Sequence, residues 1–303
     1  MLRPASRRAD HDALVARVVT WFSTGRRDLP WRDPACSAWG VLVSEVMLQQ
    51  TPVVRVEPAW RAWMTRWPTP GDLAAASTAD VLRAWDRLGY PRRALRLQEC
   101  ARALVERHGG AVPVDEDALR ALPGVGEYTA AAVRAFAYGR RSVVVDTNVR
   151  RVLARTIGGA ALPAPSPTAA ERAVATAVVP EHDADAAAWA AASMELGALV
   201  CTARSPRCQQ CPVADLCAWR LRGYPGDEHA HRRRTQPWHG TDRQCRGRIM
   251  AALRAHPGEL ARDELDATIE AATEDPQVTR CLAGLIEDGL VEEGATGYRL
   301  PVA

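Results

Sequence analysis

The sequence predicts an all-α protein that carries a small winged-helix-like module at its C-terminal end. Ala, Leu, Val and Arg recur at spacings of three and four residues along most of the 303-residue chain, which is the period of amphipathic helices. Short stretches with Pro or Gly, such as 68–71 and 108–110, separate these periodic segments. No strand-like alternation of useful length precedes residue 290. The main body is therefore predicted to be a bundle of helices.

The clearest helix carries Trp39, Leu42, Val43, Val46 and Met47 on one apolar arc, the i, i+3, i+4, i+7, i+8 pattern of an amphipathic helix. The same periodicity predicts further helices at about 10–24, 56–66, 78–88, 92–108, 115–121, 127–138, 147–156, 168–178 and 184–198.

The C-terminal part of the chain has a different character. Residues 223–242 are rich in Gly, Pro, His and Arg with little periodicity, which predicts a linker. Residues 243–303 show three short helical patterns, followed by two short strands at 289–291 and 298–300 around a polar turn. Three helices and a hairpin are typical of a winged-helix module. Because residues 218–303 hold 12 Arg against 14 acids, we expect this module to pack or to contact protein rather than to read DNA.

Composition excludes several classes of protein. No run of eighteen apolar residues offers a membrane span, and the basic N-terminus lacks the apolar segment of a secretory signal, so we expect a cytoplasmic protein. The net charge is only +3, and residues 1–217 hold 27 Arg against 22 acids. That excess fits either a phosphate-binding surface or an ordinary solvated one. All 39 basic residues are Arg, so no lysine amine exists for Schiff-base catalysis.

Four cysteines form the most specific pattern: Cys201, Cys208, Cys211 and Cys217 lie within 17 residues. Thiolates are soft ligands that suit iron–sulfur clusters or zinc. Structural zinc more often has two paired-cysteine knuckles with a longer spacer, and here there is one pair, which favours the cluster. Four unrelated cysteines in a reducing cytosol are the remaining alternative. The other cysteines are scattered and are predicted to be packing residues.

A glycine-containing turn lies between two predicted helices, with the sequence Leu122-Pro123-Gly124-Val125-Gly126. Two glycines around one apolar residue allow a tight turn whose backbone N–H groups face outward at a helix start. Such a turn binds anions, and DNA phosphate is a natural occupant. A plain helix–helix connector is the alternative.

Two carboxyl groups are candidates for chemistry. Asp146 ends an apolar run and precedes Arg150 and Arg151, so by itself it fits a helix N-cap. Glu45 lies near Val41 and Leu48 on its helix, where apolar neighbours can raise its pKa. A partly exposed, inert Glu is the simpler interpretation of that position taken alone.

Together these segments resemble the endonuclease III superfamily of helix-hairpin-helix DNA glycosylases, over about residues 8–218. The cysteine spacing, the Leu-Pro-Gly-Val-Gly turn and an Asp about twenty residues later carry the resemblance. Within the superfamily, four segments look like the adenine DNA glycosylase branch: 29–31, 44–51, 89–90 and 194–198. The resemblance implies a two-lobed core over 1–222, with a six-helix barrel lobe at about 25–137 and an iron–sulfur lobe from 1–24 and 138–222.

The resemblance also implies roles for individual residues. Asp146 would stabilise the positively charged sugar as the glycosidic bond breaks, and Glu45 would be the general acid that protonates the departing adenine. Asn148 matches a polar residue beside that aspartate. Glu195 matches a residue that contacts the extruded base, and Trp31 lies near the base pocket or in the core.

DNA contacts follow in the same way. Gln49, Gln50 and Tyr90 match positions that contact DNA, where Gln50 and Tyr90 wedge into the duplex while the target base is extruded. Leu122, Gly124, Val125 and Gly126 would bind the phosphate backbone. The implied partner is double-stranded DNA with a mismatched or lesion-containing pair, bound by a monomer with one 4Fe–4S cluster and no membrane partner.

Tyr128 stands where strand-cleaving members of the superfamily place a lysine. Together with the absence of lysine, this predicts a monofunctional hydrolase. Two departures leave alternatives open. Asp146-Thr147-Asn148 replaces the family's usual Asp-Gly-Asn, and the usual C-terminal domain that recognises 8-oxoguanine is not apparent. A thymine or uracil mismatch glycosylase and a non-catalytic iron–sulfur DNA-binding protein are the rival hypotheses.

Overall fold

A computed structural model describes residues 4–232, 238–271 and 275–302. It is mainly helical, which confirms the all-α prediction. The helices are α1 Pro4–Gly25, α2 Ala38–Leu48, α3 Val53–Arg66, α4 Pro70–Ala75, α5 Thr78–Trp85, α6 Arg92–His108, α7 Glu116–Arg120, α8 Glu127–Tyr138, α9 Thr147–Leu153, α10 Ala169–Val178, α11 Asp183–Leu199, α12 Ala218–Leu221, α13 Asp242–Ala255, α14 Arg262–Thr268 and α15 Pro276–Glu287. The strands are β1 Glu292–Glu293 and β2 Tyr298–Arg299. No helix in the described ranges is long and apolar enough to cross a membrane.

The chain divides into two compact units. The first draws its described residues from Met1–Ala38, Val114–Glu116 and Gly126–Arg234, and the second from Trp39–Pro113, Asp117–Val125 and Thr235–Ala303. Contacts between residues define these two units. The domain bounds predicted from the sequence stay a prediction.

The first unit is built around α11, which packs against α1 and α9. Its core includes Val18, Val152, Trp189 and Leu196, all almost completely buried. Apolar side chains on three helices thus fix the position of the α9 N-terminus, because burial of apolar surface is the main force that holds helices together. The residues that precede and follow that terminus include Asp146 and Asn148.

The second unit contains a cluster of tryptophans from α3, from the residue that caps its C-terminus and from α5. Trp63 packs edge to face against Trp67 and Trp85, with ring centroids 4.6 Å and 5.6 Å away, a favourable geometry for aromatic pairs. The indole N–H of Trp60 donates a 2.8 Å hydrogen bond to the carbonyl oxygen of Gly40 in α2. These contacts hold α2, which carries Glu45, in a defined position.

The C-terminal module belongs to the second unit and has the predicted three helices and hairpin. Helices α13 and α15 pack through residues such as Ile249, Leu253 and Leu285. The strands β1 and β2 are antiparallel, with Glu292 opposite Arg299 and Glu293 opposite Tyr298. The first strand therefore begins after the predicted range 289–291, because Gly289 ends α15 with a left-handed φ of 69° and Leu290 and Val291 are buried.

Helix α1 begins earlier than the predicted residue 10, and α5 ends three residues before the predicted residue 88. Two further segments differ in kind from the sequence prediction. Residues 68–71 were predicted to be a joint, yet Pro70 begins α4. Thr69 caps that helix, since Asp72 N–H donates to its hydroxyl and its own N–H donates to the Asp72 carboxylate, a capping box. Helix α9 ends at Leu153, and a π-helical turn over Ala154–Gly158 follows, where one continuous helix was predicted.

Candidate functional site

The carboxyl group of Asp146 lies at the N-terminus of α9, in the first unit. One oxygen accepts a 2.7 Å hydrogen bond from the backbone N–H of Val149, and the other accepts a 2.7 Å bond from the amide of Asn148. The residue is partly exposed, yet burial raises the pKa of the carboxyl against these bonds, which lower it. Asp146 is therefore both the N-cap of α9 and an oriented carboxylate. A helix cap and a carboxylate positioned for chemistry, the two interpretations of Asp146 from the sequence, are therefore compatible.

Arg151 connects Asn148 to the cysteine-bearing loop. Its guanidinium donates to Asn148 Oδ1 at 2.8 Å, to the carbonyl oxygen of Gly197 at 2.7 Å and to that of Cys201 at 2.6 Å. Burial lowers the pKa of Arg151, while these acceptors satisfy its donors. Helix α11 approaches closely here, since a Cβ added to Gly197 would lie 2.6 Å from the Asn148 Cβ. The side chain of Asn148 is thus held from both sides.

The four predicted cysteine ligands surround one small cavity in the first unit, namely Cys201, Cys208, Cys211 and Cys217. Burial together with the charges of the other three thiols raises the pKa of Cys211 to about 11. Arg155 supports the loop, because its guanidinium donates to the Cys201 thiol at 3.3 Å and to the carbonyl oxygen of Thr202 at 2.7 Å.

The donor set fits an iron–sulfur cluster, because thiolates are the ligands that such clusters take. In the part of the chain that the structure describes, no three His, Cys, Asp or Glu side chains converge closely enough to hold one metal ion. A tetrahedral zinc needs all four sulfurs at about 2.3 Å from one centre. The four cysteines line one shared cavity, and four thiolates are the ligands that a four-iron cluster takes.

The carboxylate of Glu195 accepts hydrogen bonds from two arginines, Arg27 and Arg32. Its carboxylate accepts bonds from Arg27 at 2.9 Å and 2.6 Å and from Arg32 at 3.1 Å and 3.0 Å. Burial alone raises the pKa of Glu195, but these bonds outweigh it and hold the pKa at about 2. Glu195 is 1% exposed. Its predicted contact with an extruded base stays a prediction, whereas its part in orienting Arg27 and Arg32 is visible.

Three other candidates lie in the first unit. Trp31 is buried within a short 3₁₀ turn. Tyr128 is half-buried near the start of α8 and packs against an alanine-rich cluster that includes Ala132 and Ala190. Gly126 is the N-cap of α8 and is exposed, so the outward N–H groups predicted for a phosphate-binding turn are sterically accessible there.

Glu45 belongs to the second unit, where it lies in α2. It is 5% exposed, and the residues on both sides of it, Ser44 and Val46, are buried too. The alternative of a partly exposed Glu is therefore wrong. A deeply buried carboxyl group in an apolar helix has the setting that a general acid needs.

The predicted wedge residues share one region of the second unit. Gln50 and Tyr90 have left-handed backbones, with φ of 56° and 49°, which is uncommon outside glycine and marks positions under strain. Both line a groove together with Gln49. Gln49 also lines a smaller pocket with Gly124 and Val125, so the structure brings the glycine turn beside the wedge region.

The glycine turn itself requires a glycine at one position. Gly124 has φ of 76°, and a Cβ there would lie 2.9 Å from the Arg96 Cβ. Leu122 and Val125 are buried and anchor the turn. The backbone N–H of Val125 donates to the carbonyl oxygen of Leu122 at 3.2 Å. The turn is therefore a tight, anchored loop and more than a flexible connector.

Comparisons with known proteins identify the family of this chain. Residues 43–177 match the HhH-GPD superfamily of base excision DNA repair proteins, and residues 201–217 match the iron–sulfur binding domain of endonuclease III. The adenine DNA glycosylase of Mycolicibacterium smegmatis is 51% identical over 280 residues, which are 92% of this chain and 93% of that protein. That of Mycobacterium tuberculosis is 50% identical over 285 residues, 94% of this chain and 92% of that protein. The chain belongs to the adenine DNA glycosylase family.

The family assignment confirms the resemblance and the predicted iron–sulfur cluster, since the matched iron–sulfur segment begins at Cys201 and ends at Cys217. A solved thermostable thymine-DNA glycosylase shares the fold with a TM-score of 0.64 and 28% identity, over 71% of this chain and 98% of that one. A non-covalent endonuclease III–DNA complex shares it with a TM-score of 0.61 and 24% identity, over 73% and 100%.

In this adenine DNA glycosylase family member, sequence reasoning missed several arginines. Arg93 donates to the carbonyl oxygens of Val46 at 2.8 Å and Gly89 at 2.9 Å, and so ties the end of α2 to the loop that carries Tyr90. Burial lowers the pKa of Arg93 to about 10. Arg151 and Arg155 link α9 and the following turn to the cysteine loop. Their acceptors Val46, Cys201 and Thr202 lie more than forty residues away, so no local pattern could have identified these contacts.

Proposed function

We propose that this chain is a monofunctional DNA glycosylase that hydrolyses the N-glycosidic bond of adenine mispaired with 8-oxoguanine or guanine in double-stranded DNA. The observation that carries the proposal is the Asp146 carboxylate. It is partly exposed, oriented by bonds to both oxygens, and lies on a chain of the adenine DNA glycosylase family. A carboxylate so held is suited to stabilise positive charge on a sugar.

In the proposed reaction, the C1′–N bond breaks with its electron pair leaving on adenine. Asp146 offsets the developing charge on the sugar, and Glu45 delivers a proton to the adenine ring so that the base departs neutral. Water then adds its hydroxyl to C1′, and its remaining proton restores the proton that Glu45 gave to the adenine. Asn148 keeps the Asp146 carboxylate in place through its 2.7 Å bond, and we assign Glu195 to contact with the extruded base through the arginines it holds.

The 4Fe–4S cluster would be held by Cys201, Cys208, Cys211 and Cys217 and would supply a rigid cross-link within the loop. Arg151 bonds the backbone of that loop and the side chain of Asn148 at once. The loop therefore supports the position of Asp146 through Asn148, in addition to any part it has in binding DNA.

We assign DNA binding to the glycine turn and the wedge region. Gly124, Val125 and Gly126 would present backbone N–H groups to a phosphate, with Leu122 as the anchor. Gln49, Gln50 and Tyr90 would enter the duplex as the adenine leaves the stack. The strained backbones of Gln50 and Tyr90 support a role of this kind, since such strain clusters at ligand-binding sites.

The absence of lysine and the presence of Tyr128 support hydrolysis without strand cleavage. Borohydride reduction during turnover traps a Schiff base as a covalent protein–DNA adduct. We expect no adduct with this chain, and we expect strands to be cut only after alkali treatment of the abasic product. An adduct above background would contradict the monofunctional assignment.

A panel of single-mismatch duplexes tests the base specificity. We expect adenine release from A·8-oxoguanine and A·G pairs, and no release from T·G or U·G pairs. The second candidate is a thymine or uracil mismatch glycosylase, which the fold shared with a thymine-DNA glycosylase favours. Thymine release from T·G with A·8-oxoguanine left intact would establish that candidate. Release of no base from any duplex would favour a non-catalytic DNA-binding protein.

Further proposals concern the setting of this activity. We propose that the chain acts as a monomer in the cytoplasm, with the nucleoid as its location if the host is bacterial. We also propose the division into a core over 1–222, a linker over 223–242 and a module over 243–303. Light scattering of the purified chain with and without duplex DNA tests the monomer.

A further inference from the structure

A wide groove separates the C-terminal module from the wedge region, within the second unit. The loop 86–93 and residues Gln49 and Gln50 form one wall, and α13 forms the other. Its volume is about 1270 Å³, above the range of roughly 300–1,000 Å³ for small-molecule sites. We call it the module groove. Its size fits a segment of a macromolecule.

The lining of the module groove is strongly basic. Nine arginines line it and one acid, Asp86. Some of these arginines are neutralised, as Arg92 and Arg246 are by Asp288. Four are exposed and have no acid in the described ranges within ion-pair distance, and one of these, Arg248, donates to the carbonyl oxygen of Ile269 at 3.5 Å. The other three are Arg55, Arg87 and Arg243. The groove therefore attracts an anionic partner.

Arg243 contacts Tyr90 directly. Its guanidinium lies 5.0 Å from the centre of the Tyr90 ring and 5.2 Å from that of Trp238. Both rings are nearly half exposed, so the contact is a weak, solvent-facing cation–π interaction. A phosphate offers Arg stronger, charge-assisted hydrogen bonds. Arg243 can therefore move onto a phosphate at little cost when Tyr90 enters a duplex.

The face of α13 toward the groove leaves space for a backbone. Gly247 and Ala251 follow Arg243 at intervals of four residues and line the groove, and a Cβ added to Gly247 would meet nothing within 4 Å. Asp242 does not line the groove, and it bonds Arg280 at 2.8 Å. Residues 218–303 therefore have a basic face on α13, although their net charge is slightly acidic.

We propose that the module groove binds the sugar–phosphate backbone of the duplex that the core holds, with Arg55, Arg87 and Arg243 as the phosphate-binding side chains. This inference rests on the proposed function, because it requires duplex DNA at Tyr90. It reverses the sequence-based expectation that the module only packs or contacts protein. The match to the M. smegmatis protein spans 92% of this chain, so it necessarily reaches into α13. The aligned region of that protein therefore includes a segment that matches α13.

Salt dependence of duplex binding tests the proposal. Each phosphate contact contributes about 0.9 to the slope of log affinity against log salt. Fluorescence anisotropy with the full chain and a labelled, undamaged duplex would measure that slope for Arg87→Ala and Arg243→Ala. We expect each variant to lower the slope by about 0.9 and Arg243→Lys to retain it. Among the described residues, the arginines stacked on Tyr90 are Arg93 and Arg243 and not Arg87, so the Arg87 variant separates phosphate binding from any effect on the Tyr90 ring.

The matched control is Arg299→Ala, which removes the same charge from the module hairpin. Arg299 is already paired with Glu259 and Glu292, so we expect the wild-type slope. Thermal melting checks that each variant is folded. Wild-type slopes for both Arg87→Ala and Arg243→Ala would overturn the groove as a DNA site, whatever the excision activity. Lower slopes for the two variants, together with no adenine release by the wild-type chain, would support the groove as a DNA site and contradict the proposed glycosylase function.

Discussion

The guanidinium of Arg151 donates a 2.8 Å hydrogen bond to Oδ1 of Asn148, which fixes the orientation of the Asn148 amide. The nitrogen of that amide then faces Asp146 and donates to its carboxylate at 2.7 Å. The same guanidinium bonds the carbonyl oxygen of Cys201. One arginine therefore links Asp146, through Asn148, to the loop that bears the four cysteines.

Asn148→Ala tests this connection. It removes the donor to Asp146, and a hydrogen bond to a charged group is worth about 1.5–3 kcal/mol. We expect single-turnover adenine release to slow by about 10- to 100-fold. Thr147→Ala is the matched control, since Thr147 is exposed and its hydroxyl makes no bond in the described structure. A normal rate for Asn148→Ala would show that Asp146 needs no such support.

Asp146→Asn separates activity from stability. We expect the rate to fall by at least about 10²-fold, since an electrostatic stabiliser of the transition state is lost. Burial raises the pKa of Asp146, so its folded pKa exceeds its unfolded pKa. The stability it contributes is then present below the unfolded pKa and lost as pH rises through the folded pKa.

At neutral pH we therefore expect Asp146→Asn to melt at a higher temperature than the wild type, since Asn also caps helices well. The difference should shrink as the pH is lowered into the acid range. Thermal melting across a pH series measures it. A variant that melts lower than the wild type at neutral pH would contradict the assignment of a desolvated carboxylate.

The melting temperature of Glu195→Gln should depend on pH in the opposite direction to that of Asp146→Asn. The pKa of Glu195 is held at about 2 by Arg27 and Arg32, below its ordinary value, so its contribution to stability is present at neutral pH. That contribution is about 3 kcal/mol from the size of the shift, and it is lost as pH falls from about 4.5 toward 2. Melting of Glu195→Gln should approach that of the wild type over that window. Glu181→Gln, in the exposed pair with Arg8, should change little.

Gly124→Ala and Gly126→Ala form a pair in the glycine turn. Gly124 has φ of 76°, and a Cβ there would lie 2.9 Å from Arg96. We expect Gly124→Ala to lower the free energy of unfolding by about 1–3 kcal/mol. Gly126 has φ of −92° and open space for a Cβ, so its variant should unfold within about 0.5 kcal/mol of the wild type. Urea unfolding of both variants tests this, and equal losses would contradict it.

The sequence predicted what depends on local signals. The bounds of α6 and α8 were predicted to the residue, because Gly109 and Gly139 end them in left-handed conformations, a common helix stop. Helix α4 was missed because Pro70 was taken for a break, although proline is also favoured in the first turn of a helix. The bonds from Arg93 to Val46 and from Arg151 to Cys201 were missed because these acceptors are distant in the sequence. The basic face of α13 was missed because net charge averages over a segment.

Removal of the cluster tests the role of the cysteine loop. Cys208→Ser removes one of the four sulfurs around the shared cavity, and we expect loss of bound iron and sulfide and of the broad visible absorbance of the cluster. Cys36→Ser is the matched control, because Cys36 lies far from these cysteines in the sequence and should leave iron content unchanged. Since Arg151 bonds both Cys201 and Asn148, we also expect adenine release to slow in Cys208→Ser beyond any loss of DNA binding. The rate at saturating enzyme separates the two effects: a normal rate there would mean that the loop supports DNA binding alone.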